Sequence, residues 1–245
     1  MKKFLVIMLL ISVNLLIGQV MTGDQILQKI DDNMYSDKTI STSTMTIHGR
    51  RNSKTMKLKS WTNGETKSFS QYLYPPKDAG TKMLKLDDNL WLYNPDSDRT
   101  IQISGHLLRQ PVMGSDLSYE DMMEDNELSN LYSAEIVAEE IFQKRECWVL
   151  HLTAKVTEIA YQTRKVWVDK ERFLALKEER FSKSGKLLKT TIIQEVFKVE
   201  DRWYPKKMTF KDVLKSGEGT EYIIDSIEFD ADIPESVFSK ASLRK

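Results

Sequence analysis

Cysteine is almost absent: Cys147 is the only one in 245 residues, which excludes an internal disulfide. It precedes Trp148 in an alternating stretch, a pattern that predicts a small buried apolar residue rather than a nucleophile. Because Cys147 lies far from the N-terminus, no lipidated cysteine can begin a mature protein. The stability of the fold must therefore come from packing.

Histidine is also scarce, and no pattern for enzymatic chemistry is present. The three histidines, His48, His106 and His151, lie in different predicted strands or loops, without H-x-x-x-H spacing or a cysteine partner. Ser115 follows His106, but "MGSDLS" is not the G-x-S-x-G nucleophile motif, and a turn or helix-entry hydroxyl is the simpler interpretation. The sequence predicts a non-enzymatic protein with no catalytic residue, no metal and no cofactor.

An excess of charge of either sign is missing. The chain has 36 basic and 36 acidic residues, and removal of Lys2 and Lys3 with an N-terminal segment would leave 34 − 36 = −2. Nucleic-acid-binding proteins favour a basic stripe and a high pI, so this balance argues against a nucleic-acid partner. With 40% hydrophobic residues, the chain has the composition of an ordinary globular protein.

Long hydrophobic runs are limited to the N-terminus. Lys2 and Lys3 precede an almost unbroken apolar run at residues 4–17, which is short for a bilayer span but typical of a signal-peptide core. We interpret residues 1–20 as a signal peptide that is cleaved between Gly18 and Thr22, with residues 21–245 as the exported domain. An uncleaved N-terminal anchor is the alternative.

The next segment has the pattern of an amphipathic helix. Thr22 and Gln25 match a capping box, and apolar residues then recur at helical spacing. From Thr39 onward the apolar period changes to two, in about a dozen short segments separated by short polar turns. This predicts one domain with an antiparallel sheet in sequential order, curled into a sandwich, a barrel or an open half-barrel.

One central segment interrupts the strand pattern. Residues 105–114 contain several apolar side chains without a clean period, and Ser118 and Asp121 then form a helix cap. An apolar loop requires an apolar surface to lie on. We therefore expect residues 105–121, with the short helix that begins at Ser118, to cover the open side of the sheet, and we name them the lid segment.

At this point the sequence resembles a known family. The order of signal peptide, amphipathic helix, strand meander, "LWLYNP…R", "GSDLSYEDM" and the ending "IPESVFSKASL" is similar to the outer-membrane lipoprotein-sorting family, related to the LolA and LolB carriers. The resemblance extends along most of residues 21–245. The residues that carry it are Trp91, Tyr93, Pro95, Arg99, Gly114, Ser115, Asp116, Tyr119 and Asp121.

The resemblance implies a mainly β protein with helices (α+β). A single antiparallel sheet would curl into an open half-barrel, with helices packed in its concave face. Such proteins hold the acyl chains of lipoproteins or lipids non-covalently during transit through the periplasm, and their lids shift when the chains enter. An inner-membrane transporter and an outer-membrane acceptor are then candidate partners. The arginine latch of the well-studied carriers has no clear counterpart in this chain.

Two sets of candidate site residues follow. Arg99 and Asp116 are latch candidates that would tie the lid segment to the strands, against the alternative of an ordinary surface ion pair. For the methionines among the candidates, ordinary core packing is the alternative role. For the protein as a whole, the alternative function is that of a non-carrying accessory module of a membrane transport system. The candidates for acyl-chain contact, in the cavity or the lid, are Trp91, Tyr93, Ile101, Ile103, Leu107, Leu108, Val112, Met113, Leu117, Met122 and Met123.

Overall fold

The computed structural model describes residues 21–124 and 127–244, so the predicted signal peptide at residues 1–20 lies outside the described residues. Helices are α1 (Gly23–Met34), α2 (Tyr119–Met123) and α3 (Leu128–Leu131). The strands before the lid segment are β1 (Lys38–His48), β2 (Ser53–Asn63), β3 (Lys67–Tyr74), β4 (Lys82–Leu86), β5 (Asn89–Asn94) and β6 (Arg99–Ile103). Those after it are β7 (Tyr132–Phe142), β8 (Arg145–Ala154), β9 (Thr163–Asp169), β10 (Ala175–Phe181), β11 (Leu187–Val199), β12 (Arg202–Asp212) and β13 (Gly219–Phe229).

Both predicted helix caps are confirmed. The Thr22 hydroxyl accepts a hydrogen bond from the Gln25 amide at 3.2 Å, and the Gln25 side chain accepts one from the Thr22 amide at 2.9 Å. Ser118 and Asp121 form the same reciprocal pair at the start of α2. Each cap satisfies amide groups that have no partner within the helix, which explains why both helices begin where they do.

The strands form a single antiparallel sheet that is not closed. Its spatial order is β6-β5-β4-β3-β2-β1-β13-β12-β11-β10-β9-β8-β7. The predicted sequential order holds within each half, but pairing of β1 with β13 joins the halves, so β6 and β7 lie at opposite edges. The chain between β6 and β7 must therefore connect the two edges of the sheet, and no tight hairpin could do this.

One face of the sheet carries both α1 and the lid segment. Directly paired residues of an antiparallel ladder point to the same side, so this face can be traced from strand to strand. Apolar residues of the lid segment pack beside Met45, which pairs with Tyr222 of β13. At the far end, α1 packs against Leu150 and Leu152 of β8. We name this side the helix face.

The opposite face is covered near β3, β4 and β5 by the C-terminal residues. Phe69 and Leu84 pair across β3 and β4 and pack under Ile233, Phe238 and Leu243. A second apolar cluster is thus buried on the side of the sheet away from the lid segment.

Candidate functional site

The lid loop is a closed unit of its own. The Val112 amide donates to the Leu117 carbonyl at 2.8 Å, and the Tyr119 amide donates to the Gln110 carbonyl at 3.1 Å. Gly114 permits the reversal between them because its φ of 88° lies in the left-handed region. The lid segment therefore meets the sheet as a preformed piece of structure.

Six of the predicted contact residues meet in one apolar cluster on the helix face. Val112 is 2% exposed and packs with Met45, Met56 and Tyr72 of the sheet. The residues that this cluster brings together from the predicted set are Ile103, Leu107, Leu108, Val112, Met113 and Met123. Leu117 is half-buried, whereas Ile101 and Met122 are 49% and 38% exposed.

Trp91 and Tyr93 lie on the other face of the sheet. Leu90, not Trp91, pairs with Ile103, and Trp91 pairs with Gln102. Trp91 and Tyr93 consequently pack with the C-terminal cluster around Phe238, away from the lid segment. The pleat of β5 separates these two aromatics from the other candidates, because successive side chains point to opposite faces.

Of the two latch candidates, Asp116 ties the lid segment to the sheet. Its carboxylate is buried, accepts a hydrogen bond from the Asp212 amide at 3.0 Å and another from the Thr220 hydroxyl at 2.8 Å. The Asp116 amide donates to the same hydroxyl at 2.9 Å. Arg99, by contrast, is exposed at the start of β6 and forms no ion pair with another described residue.

A second connection holds α2, and its members come from distant parts of the sequence. Arg164 of β9 is 1% exposed and binds Glu124 and Glu178, the latter at 2.6 Å. Arg180 contacts Asp121 at 3.2 Å and Glu178 at 3.0 Å. Lys189 of β11 also pairs with Asp121. We name these six residues the ionic cluster: Asp121, Glu124, Arg164, Glu178, Arg180 and Lys189.

Tyrosines complete the surroundings of the ionic cluster. The Arg164 guanidinium lies over the Tyr132 ring, 4.6 Å from its centroid, and the Tyr161 hydroxyl donates to Asp121 at 2.6 Å. These contacts stabilise cations and carboxylates that burial would otherwise disfavour. The sequence-based search missed this cluster, although the acids at residues 120–124 are visible as a group.

The cluster shifts the pKa values of its carboxyl groups in both directions. Burial acts to raise the pKa of Asp121, but the charges of Arg180 and Lys189 outweigh it and lower the pKa to about 2. Burial also acts to raise the pKa of Glu178, but the charges of Arg180 and Arg164 outweigh it and lower the pKa to about 2. At Glu124 burial outweighs the neighbouring arginines, and the pKa is raised.

Two adjoining cavities open on the helix face, and we name them together the central cavity. One, of about 290 Å³, reaches Met34 at the end of α1, and the other, of about 320 Å³, reaches Met122 of α2. The residues that line both are Ser41, Thr62, Gly64, Glu65 and Tyr222.

None of the candidates for acyl-chain contact lines the part of the cavity beside α1. Its apolar wall comes mainly from β12 and β13, which the sequence-based search did not single out. The alternation in "TEYIIDSIEF" indicates that such residues share a face, but it does not say that an open space faces them. The wall residues are Met34, Tyr204, Met208, Tyr222, Ile224 and Ile227.

Comparison with known proteins places this geometry in a family. A model of a family described as "uncharacterized protein" matches residues 64–245. The structure is similar to an outer membrane lipoprotein-sorting protein domain from Vibrio parahaemolyticus, at 26% identity and a TM-score of 0.78, covering 91% of this chain and 98% of that one. The chain belongs to the family that this model describes, and its fold is similar to that of the lipoprotein-sorting domain.

Two further solved structures share the fold of this chain. A LolA superfamily protein from Nitrosomonas europaea matches at 22% identity and a TM-score of 0.76, covering 91% of this chain and all of that one (100%). A DUF1329 family protein from Desulfovibrio piger matches at 24% identity and a TM-score of 0.80, covering 90% and 97% of the two chains. No curated protein matches the chain. The resemblance predicted from the sequence is thus confirmed.

Residues 21–124 and 127–244 contain no helix that is both long and apolar enough to cross a membrane. The same residues contain no group of three or more His, Cys, Asp or Glu side chains that could hold a metal ion.

A third cavity, of about 660 Å³, lies beside the lid segment. Charged side chains from the lid, the loop after β8 and the ends of β11 and β12 line much of it, including Arg109, Glu120, Glu158, Lys189 and Asp212. The part of the central cavity beside α1 has a single charged residue, Glu65, in its lining, so it is the better candidate for an acyl chain, which favours apolar surroundings.

Asp116→Ala is expected to lower the free energy of unfolding by about 2–3 kcal/mol, because the Thr220 hydroxyl and the Asp212 amide lose their acceptor in a buried site. Arg99→Ala is the matched control, with an expected change within about 0.5 kcal/mol, since Arg99 is exposed. Urea denaturation measures both. Equal losses for the two variants would reject Asp116 as the latch residue.

The ionic cluster also predicts a dependence of stability on pH. Asp121 and Glu178 have folded-state pKa values of about 2, below their ordinary values of 3.8 and 4.5. Their ionised forms therefore stabilise the fold above pH 4.5, and this contribution is lost as the pH falls toward 2. Glu124, whose pKa is raised, acts in the opposite direction.

Urea denaturation between pH 5 and pH 2.5 tests this dependence. We expect the unfolding free energy to fall as the pH decreases, and Glu178→Gln should show a smaller fall because it removes one of the two depressed carboxyl groups. An identical fall in the variant would show that Glu178 does not contribute.

Proposed function

We propose that this protein is a periplasmic carrier that binds an acyl chain of a lipoprotein or lipid in the central cavity and moves it toward the outer membrane. The observation that carries the proposal is the open, partly apolar cavity on the helix face between α1 and α2. The similarity to the structure of an outer membrane lipoprotein-sorting protein domain supports it.

Binding requires no covalent step. Each methylene group that leaves water and enters an apolar site gains about 0.8 kcal/mol, so contact with Met208, Ile224 and Ile227 can draw a chain out of a membrane surface. The sheet then acts as an open half-barrel, with α1 and the lid segment in its concave face. The protein works as a binding protein rather than as an enzyme.

The lid segment controls access to the cavity in this proposal. Asp116 fixes its loop to β12 and β13, and the ionic cluster fixes α2 to β9, β10 and β11. Both connections are polar, so they can exchange partners with water when the lid segment moves, whereas the packed contacts of Val112 hold it in place when the cavity is empty.

The proposed carrier is exported to the periplasm. Residues 1–20 serve as a cleavable signal peptide, and the mature domain, residues 21–245, acts between an inner-membrane transporter that supplies cargo and an outer-membrane acceptor. Cys147 is buried, so the mature protein is not anchored through a lipidated cysteine.

Extraction of the purified protein tests the proposal. The mature chain is isolated from the periplasm, extracted with organic solvent and analysed by mass spectrometry, and a fluorescent fatty acid is titrated into the delipidated protein. Co-purifying lipid or lipopeptide and saturable probe binding are expected. A protein that stays empty and does not bind the probe would instead indicate the non-carrying accessory module.

A further inference from the structure

The central cavity has an unusual wall opposite its apolar side. Three neighbouring strands present hydroxyl groups in register on the helix face. Ser41 pairs with Ser60, and Ser60 pairs with Ser70. Two residues away on each strand, and therefore on the same face, Thr39 pairs with Thr62 and Thr62 pairs with Ser68. Two rows of three hydroxyls thus cover β1, β2 and β3, and all six residues line the cavity.

The two walls differ in chemistry over a short distance. Met208, Ile224 and Ile227 form the apolar side, while the hydroxyl rows form the other. Within the rows, Ser60 and Ser70 bond to each other at 2.9 Å, which satisfies one donor and leaves further acceptor capacity. A ligand in this space meets hydrocarbon on one side and hydrogen-bonding groups on the other.

A bare hydrocarbon would fit such a cavity poorly. Its chain would displace water from the hydroxyl rows without replacing the lost hydrogen bonds, and that loss disfavours binding. A ligand that carries its own donors and acceptors avoids the loss. The hydroxyl wall therefore selects for polar groups close to the acyl chain.

The charges near the cavity indicate that these polar groups are neutral. Lys67 at the rim is paired with Glu235 at 2.8 Å, and Asp121 and Glu124 are bound within the ionic cluster. Lys85 donates to the carbonyl of Met123 at 3.2 Å. Because Lys67, Asp121 and Glu124 already have oppositely charged partners, a charged headgroup would have to displace one of them to form an ion pair with these residues, and it would lose its hydration.

The size of the cavity beside α1 limits the length of the acyl chain that it can hold. A volume of about 290 Å³ holds about ten groups of the size of a water molecule, which is close to that of a methylene. With the lid segment in its present position, that is room for one chain of about ten carbons.

We propose that the cargo is a single-chain amphiphile whose acyl chain is joined to a neutral hydrogen-bonding group, an ester, amide or hydroxyl. The chain lies against Met208, Ile224 and Ile227, and the polar linkage lies on the rows of Ser41, Ser60 and Thr62. This inference rests on the proposed carrier function and adds the class of cargo to it.

Three amphiphiles with the same ten-carbon chain test the inference. Decyl glucoside, decanoate and decyltrimethylammonium are each titrated, below their micelle concentrations, against a bound fluorescent fatty acid. The glucoside is expected to displace the probe at a concentration about tenfold lower than either charged amphiphile, since one or two retained hydrogen bonds account for that factor. Equal potency of the three would overturn the inference.

Thr62→Val removes one hydroxyl with almost no change in volume. We expect it to weaken binding of decyl glucoside about fivefold to tenfold and to leave decyltrimethylammonium unchanged. The matched control is Thr42→Val on the opposite face of β1, where the hydroxyl bonds to Ser226 and not to the cavity. A loss of affinity that is the same for both amphiphiles, or the same in both variants, would contradict the assigned role of Thr62.

The outcomes separate this inference from the proposed function. If no ten-carbon amphiphile displaces the probe and the purified protein is empty, the carrier function itself fails. If all three bind equally, the carrier function stands and the neutral headgroup is wrong. If the glucoside binds best, decanoylglycerol and an N-decanoyl dipeptide amide distinguish a lipid source from a lipopeptide source, because the first carries the chain on a neutral ester and the second on a neutral amide.

Discussion

Arg164→Met is expected to lower the free energy of unfolding by about 3–5 kcal/mol. Arg164 is 1% exposed and binds both Glu124 and Glu178, so its removal leaves two buried carboxylates with one cation fewer. An uncompensated buried charge costs more than the lost ion pair alone, which is why the effect is large. Urea denaturation at pH 7 measures it.

A second variant separates charge from packing. In Arg164→Met combined with Glu124→Gln, the remaining members Asp121, Glu178, Arg180 and Lys189 carry two charges of each sign. We expect the double variant to recover at least half of the stability that the single variant loses. If it is as unstable as the single variant, the loss comes from the missing guanidinium packing over Tyr132 rather than from unbalanced charge.

Ser41→Trp is expected to weaken binding of a fluorescent fatty acid more than tenfold. Ser41 lines both parts of the central cavity, and an indole ring at this position occupies the space that the acyl chain would use. The side chain enters an open volume rather than a packed core, so the melting temperature should change little. Fluorescence titration and thermal unfolding measure the two effects separately.

The neighbouring residue provides the control. Thr42 follows Ser41 on β1 but points to the opposite face, where it bonds to Ser226 at 2.6 Å. Thr42→Trp adds the same side chain outside the cavity and should leave probe binding within twofold of the wild type. If the two tryptophan variants bind the probe equally well, the central cavity is not the binding site.

Local features of this protein were predictable because short stretches of sequence determine them. The caps at Thr22 and Ser118 are formed by residues three positions apart, so the sequence alone predicts both. The strand segments and their short turns were likewise visible as a period of two in the apolar residues. The lid segment stood out because it has no such period.

The faces of the strands were less predictable. Trp91 and Tyr93 were grouped with Ile101 and Ile103, but the register of β5 against β6 places them on opposite sides of the sheet. A shift of one residue exchanges the two faces of a strand, and the sequence of a single strand does not specify its register against a neighbour.

The sequence by itself determined where α1 and α2 begin, that the chain is mainly β, and that residues 105–121 differ from the strands around them. The tertiary structure decided that β6 and β7 lie at opposite edges, and it assembled the ionic cluster and the two walls of the central cavity. Pairing of β1 with β13 is the physical reason. It brings together strands about 180 residues apart, and no local pattern encodes a contact at that distance.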